Sequence, residues 1–238
     1  MKFTLPLFLS LSSLALAHPL AETEAPSETS TETQTTNTDH LASTAHFFTE
    51  NAAAVTTTEN GLSTDACKPV IVIFARGTNE DGNVGSIAGP PLFTDLRAAL
   101  TTDKISVQGV DYSANVFGYL AGGDTSGSKS MANLTTYAST KCPSAKLVLG
   151  GYSQGAQLVH NAAKTLSAAV SAKIAAVVVF GDPDRGQAVG SVATSKVLSI
   201  CHDQDIICSG SGGFTTHLTY GDDAPTASAF IVKAVGTV

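Results

Sequence analysis

The stretch Gly151-Tyr152-Ser153-Gln154-Gly155 constrains this chain most, because it lies where an apolar run, Lys146 to Gly150, meets a helix-like one, Gln154 to Ser167. Strand, tight turn and helix in that order hold a serine in a strained turn at the tip of a strand, the geometry of a nucleophile elbow. A Cβ two residues to either side would collide with the packed strand and helix, which explains a glycine at both. With 21 glycines in 238 residues the pentapeptide alone is a weak signal. Its weight comes from its flanks.

Four other short runs, Val70 to Ala75, Ile105 to Val110, Ala175 to Phe180 and Val197 to Ile200, are β-branched and apolar without alternation. Runs of that kind are strands covered on both faces. Helix-like segments lie between or after them at Leu92 to Leu100, Ser130 to Thr140 and Ala227 to Val235. Strand alternating with helix gives an α/β fold with a parallel, doubly covered central sheet. Only about fifteen residues, Asp182 to Lys196, separate the two strands that follow the nucleophile helix. They are too few for a lid domain, so Ser153 is expected to be open to solvent and to suit bulky or polymeric substrates. The glycine-rich turns carry no dinucleotide or Walker pattern, which gives no support to nucleotide binding.

The chain's start reads as an export signal. Lys2 is followed by an apolar run from Phe3 to Leu16 and by Ala15-Leu16-Ala17, so residues 1–17 form a signal peptide cleaved before His18. Residues 18–65 are rich in Thr, Ser and Glu and poor in large apolar side chains, as in a disordered leader or pro-segment. The remaining residues, 66–238, are enough for one domain with a real core. Twelve acids balance twelve Lys and Arg there, which removes any case for nucleic acid. No later run reaches membrane-spanning length, so a secreted, extracellular monomer is expected.

Four cysteines in an exported chain make two disulfides the default. Of the three possible pairings, the favoured one joins Cys201 to Cys208 around a short loop, leaving Cys67–Cys142 to tie the domain's start to its middle. The spacing fits no zinc site, and no metal is expected.

A serine nucleophile needs a base within reach, and the base needs a carboxylate to fix its tautomer. In this architecture the chain order is Ser, acid, His. His160 lies two turns along the nucleophile's own helix, about 10 Å from it, and reads as packing or surface. His202 follows a strand and as a base could pair only with Asp182 or Asp184. His217 follows every candidate acid, in a mobile glycine-rich loop. Among the acids, Asp205 sits inside the Cys201–Cys208 loop with Asp203 in reserve, while Asp182 in Gly181-Asp182-Pro183 reads as a turn or capping residue. Oxyanion donors are expected from the Gln154 N–H and from Thr78 after the first strand. Arg76 reads as a structural ion-pair partner.

These pieces resemble one family, the fungal cutinases and their cutinase-like esterase relatives. The resemblance is carried by Phe74-Ala75-Arg76-Gly77-Thr78-Asn79-Glu80, Gln108-Gly109-Val110, Lys141-Cys142-Pro143, Gly150 to Gly155, Cys201-His202-Asp203-Gln204-Asp205-Ile206-Ile207-Cys208-Ser209-Gly210 and His217-Leu218-Thr219-Tyr220. It spans Cys67 to the C-terminus, and the cysteine-bracketed aspartate is far more specific than the serine motif. It implies a small three-layer α/β-hydrolase sandwich with a central mostly parallel sheet and no lid domain. It further implies a triad of Ser153, Asp205 and His217, an oxyanion hole of Thr78 and Gln154, both disulfides as above, and no metal or organic cofactor. Phe214 and Leu218, which flank His217, fall where the family contacts its substrate. Thr78 stands where the best-known plant-pathogen members have serine, and Asp111 to Gly127 looks closer to the cutinase-like and acetylxylan-esterase branches.

The resemblance implies a serine esterase acting on cutin and on short-to-medium acyl esters. The alternatives are an acetylxylan esterase of the same fold and, from another class, a non-catalytic cell-wall or host-interaction protein. Retention of all three triad residues argues against the last. Asn133-Leu134-Thr135 is the one N-glycosylation sequon.

Overall fold

The computed structural model describes residues 55–238. The expected signal peptide and residues 18–54 of the leader lie outside the described residues. Five parallel strands form the central sheet: β1 (Val70–Ala75), β2 (Ile105–Gly109), β3 (Lys146–Tyr152), β4 (Ile174–Phe180) and β5 (Val197–Ile200), in the order β2-β1-β3-β4-β5. The eight α-helices among the described residues are α1 (Gly61–Thr64), α2 (Gly89–Leu100), α3 (Val116–Leu120), α4 (Thr125–Lys141), α5 (Gln154–Thr165), α6 (Ala168–Ala172), α7 (Ile206–Ser209) and α8 (Ala224–Val235).

Alternate side chains of the strands feed two separate cores. Ile71, Ile73, Leu147, Leu149, Val177 and Val179 pack with Met131 of α4 and with Leu158 and Val159 of α5. Val72, Phe74, Val148, Val178 and Phe180 pack with Leu92, Phe93 and Leu96 of α2 and Ile231 of α8. Burial on both faces is why the strands read as unbroken apolar runs. The result is the expected three-layer α/β sandwich, here wholly parallel. Both disulfides are formed as paired from the sequence, Cys67–Cys142 and Cys201–Cys208.

One boundary needs correction. The segment 55–65, assigned to the leader on composition, packs on the domain as a strap along the edge strand β2. Gly109 N donates to Glu59 O at 2.8 Å, Asn83 N and Val84 N donate to Thr57 O, and Glu59 pairs with Arg97 at 2.9 Å. Leu62 is the strap's only large side chain in the core. The attachment is otherwise polar, so apolar content could not reveal it.

Candidate active site

Ser153 sits where β3 ends and α5 begins, with φ 55° and ψ −120°. That left-handed conformation costs a non-glycine residue on the order of 1–3 kcal/mol and persists only where the surroundings enforce it. Here Ser153 N donates to Phe180 O at 2.9 Å, pinning the turn to β4. A Cβ on Gly155 would come 2.0 Å from Ala75 O, and one on Gly151 would come 2.4 Å from Gly155 O. The two glycines therefore let helix and strand approach as the pentapeptide requires. Ser153 occupies the N-cap position of α5, yet its side chain caps nothing, which leaves the hydroxyl for chemistry.

The Ser153 residue is only 7 % exposed. Openness was expected from the missing lid, and no lid domain lies over the site among the described residues. Exposed apolar side chains instead stand on the segments tied to the elbow and to the base. Phe117, 82 % exposed, and Leu120 belong to α3, while Phe214, 62 % exposed, and Leu218 flank His217, with the Phe214 ring 6.5 Å from the His217 ring. Asn115 begins α3 by accepting from Gly118 N at 2.8 Å, and its carbonyl accepts from Gln154 Nε2 at 2.9 Å, which fixes α3 beside the elbow. Composition did not single out Phe117 and Leu120, because a five-residue helix is too short to show which face points outward.

His217 lies in a 3-10 turn, Thr216–Leu218, and is buried. The glycine-rich stretch before it suggested a swinging loop; the turn is instead tied down by the Tyr152 hydroxyl, which donates to His217 O at 2.7 Å. Its ring reaches the backbone at Gly181, where a Cβ would meet Cε1 at 2.7 Å. Gly181 directly follows Phe180, so the ring and Ser153 share one end of β4. Nδ1 bonds Asp205 Oδ2 at 2.8 Å. Among the described residues no hydrogen bond joins Ser153 to His217, consistent with apo catalytic contacts that tighten on substrate binding.

Asp205 is fully buried at the start of α7 inside the Cys201–Cys208 loop. It accepts from Ile207 N at 2.9 Å and from the Tyr220 hydroxyl at 2.6 Å as well as from His217. Burial pushes its carboxyl up, but these hydrogen bonds outweigh that and hold it below the ordinary aspartate value. It is thus ionised and acceptor-only toward the ring.

Thr78 Oγ1 accepts from Gln154 Nε2 at 2.8 Å, so the hydroxyl's own proton is turned away from Gln154. The N–H groups of Thr78 and Gln154 have no acceptor among the described residues, as donors reserved for an anion would not. No group of His, Cys, Asp and Glu among the described residues is arranged to hold a metal ion.

Three other sequence readings change. Arg76 forms no ion pair among the described residues; it donates to the carbonyls of Glu80 and Tyr112 and lies 4.9 Å over the Tyr112 ring. His160 is neither surface nor plain packing, since its Nε2 pairs with buried Asp182 at 3.0 Å. His202 pairs with neither Asp182 nor Asp184 but with Asp223 at 2.6 Å.

A parallel sandwich without a lid, carrying a serine elbow beside a buried His–Asp pair, defines an α/β-hydrolase of the serine-esterase class. The cutinase family model matches residues 66–235, and a cutinase of Blumeria hordei is 50 % identical over 239 residues, covering 99 % of this chain and all of that one. The chain belongs to the cutinase family, and it is a carboxylic ester hydrolase. A structure of Trichoderma reesei cutinase in complex with a phosphonate inhibitor superposes with a TM-score of 0.71 at 46 % identity, covering 76 % of this chain and 81 % of that one. The catalytic core of acetyl xylan esterase from the same organism shares the fold at TM-score 0.57 and 21 % identity, over 71 % of this chain and 99 % of that one.

Proposed function

We propose that Ser153 is the nucleophile of this esterase, His217 its general base, Asp205 the carboxylate that orients the base, and Thr78 with Gln154 the oxyanion hole. The observation that carries the reading is a serine at positive φ, its hydroxyl unspent on capping, next to a histidine whose far nitrogen is held by a buried aspartate. As Ser153 Oγ attacks the ester carbonyl carbon, His217 Nε2 takes its proton and Asp205 stabilises the imidazolium. The oxyanion is met by the N–H groups of Thr78 and Gln154 and by the Thr78 hydroxyl. Collapse expels the alcohol with the proton from His217, and water repeats the sequence on the acyl-enzyme to release the acid.

The substrates are cutin and soluble short-to-medium acyl esters. The exposed side chains of Phe117, Leu120, Phe214 and Leu218 support this, because they offer apolar surface to an acyl chain or polymer. An acetyl group needs no such apolar surface, and the likeness to acetyl xylan esterase is one of fold. The protein acts outside the cell as a monomer: residues 1–17 direct export, residues 18–54 form the leader, and two disulfides suit an oxidising compartment. No helix among the described residues is long and apolar enough to cross a membrane.

A rate profile over p-nitrophenyl esters tests the substrate reading. Butyrate and hexanoate esters are expected to exceed acetate in kcat/KM, with acids released from cutin. A steep preference for acetate, with acetate released from xylan, would overturn it.

A further inference from the structure

His202 has no part in the chemistry above, yet its ring is held at both nitrogens and on one face. Nδ1 lies 2.9 Å from the Thr216 carbonyl and Nε2 lies 2.6 Å from the Asp223 carboxylate. Both partners only accept, so only the doubly protonated ring can donate to both. The Thr219 hydroxyl, 3.2 Å from Nδ1, already donates to Thr216 O at 3.0 Å. Beneath the imidazole the Tyr220 ring is stacked at 4.2 Å and 18°. The Tyr220 hydroxyl accepts from His202 N at 3.0 Å and donates to Asp205 Oδ2 at 2.6 Å.

The partners of this ring are what give it a role. Thr216 directly precedes His217, so a donor on the Thr216 carbonyl fixes the peptide that sets the aim of the base. The next carbonyl, that of His217 itself, is held by Tyr152 from the other side. With Thr219 and Tyr152, His202 is thus one of three side chains that hold the backbone carbonyls around the base, and through Tyr220 it also braces the acid.

We propose that protonated His202, bridging Asp223 and the Thr216 carbonyl, is a positioning residue for ester hydrolysis, whose loss of a proton slackens the His217 turn and lowers turnover on the alkaline side. The proposal rests on the assignment of His217 and Asp205 made above. The titratable groups facing the ring are Asp223 beside it, Tyr220 beneath it and Asp205 beyond the Tyr220 hydroxyl. Partial burial opposes a charge on His202. The hydrogen bonds to Thr216 and Asp223, with the charges of Asp223 and Asp205, outweigh it and raise the pKa above the ordinary histidine value. The bridge therefore persists to a higher pH than an ordinary histidine would keep its proton, and opens beyond that.

The test compares kcat/KM from pH 5 to 10 in the wild type, Asp223→Asn and His202→Phe, each at a temperature well below its measured Tm. The wild type is expected to rise on the acid side and fall on the alkaline side. Asp223→Asn keeps a partner for Nε2 but removes its charge, so the falling limb moves to lower pH by about one unit or more. His202→Phe preserves the stack on Tyr220 but cannot hold Thr216; it loses the falling limb, and its kcat is about tenfold below wild type on the acid side of that limb and converges with wild type above it, with KM little changed. A falling limb that coincides in wild type and Asp223→Asn, or wild-type kcat in His202→Phe on the acid side of that limb, overturns the proposal. The acid-side rise separates the two levels. If all three proteins keep it, His217 stands as the base whatever becomes of His202; if the wild type lacks it, the assignment of the base fails first.

Discussion

Tyr152 donates its hydroxyl to the carbonyl of His217 at 2.7 Å, joining the residue before the nucleophile to the base itself. Its ring also lies 5.0 Å from the His217 ring, so elbow and base form one packed unit. The variable position of the serine pentapeptide is thereby a structural element of the site.

Tyr152→Phe removes that bond and leaves a buried carbonyl without a partner. Loss of such a donor costs about 1–3 kcal/mol. Steady-state kinetics should show kcat reduced about tenfold with KM nearly unchanged, and thermal melting should show a lower Tm. Wild-type kcat would mean that the turn holds His217 without help from Tyr152.

Gly155→Ala tests the close approach behind the elbow. The new methyl would meet the Ala75 carbonyl, a backbone atom of β1 that cannot step aside. Denaturant unfolding should show a loss of more than about 3 kcal/mol, or no soluble protein at all. A loss within about 0.5 kcal/mol would contradict the packing.

The two disulfides should separate stability from activity. Cys67–Cys142 spans 75 residues and Cys201–Cys208 spans 7, so on the chain-entropy model the first is worth about 4–5 kcal/mol and the second about 2–3. Replacing the first pair with serines should lower stability more while sparing kcat. Replacing the second should cost less stability but depress kcat, since Asp205 sits inside its loop with Cys208 Sγ 3.2 Å from Oδ2.

The buried His160–Asp182 pair predicts a pH dependence of stability. Burial disfavours a charged ring, but the hydrogen bond and charge of Asp182 and the Ala188 carbonyl outweigh it and raise the His160 pKa. A raised pKa in the folded state adds stability that is complete below the unfolded value, about 6.5, and is lost as pH climbs through the folded one. The stability gap between wild type and Asp182→Asn, from denaturant unfolding, should be widest near pH 6 and narrow toward pH 9. A gap independent of pH would show that the ring is not charged.

Much of this is legible in the sequence. Strands buried on both faces announce themselves as unbroken apolar runs, and Ser153 was marked by a strand and a helix meeting at a glycine-flanked serine. Asp205 was marked by the cysteines around it, and His217 by chain order. The pairs His160–Asp182 and His202–Asp223 were not legible, because their members stand 22 and 21 residues apart and only the fold brings them together. The strap at 55–65 was missed because it binds through backbone and polar groups, and α3 because Val116-Phe117-Gly118-Tyr119-Leu120 offers too few residues for a period to show.

The central claim is that Ser153 attacks the ester carbon. The most direct measurement is peptide mass spectrometry of protein treated with an alkyl phosphonate ester, comparing the wild type with Ser153→Ala. The account predicts one stoichiometric adduct on Ser153, matched by complete loss of esterase activity, and none on the alanine variant. An active wild type that takes no label, or an alanine variant that still takes it, would contradict the account.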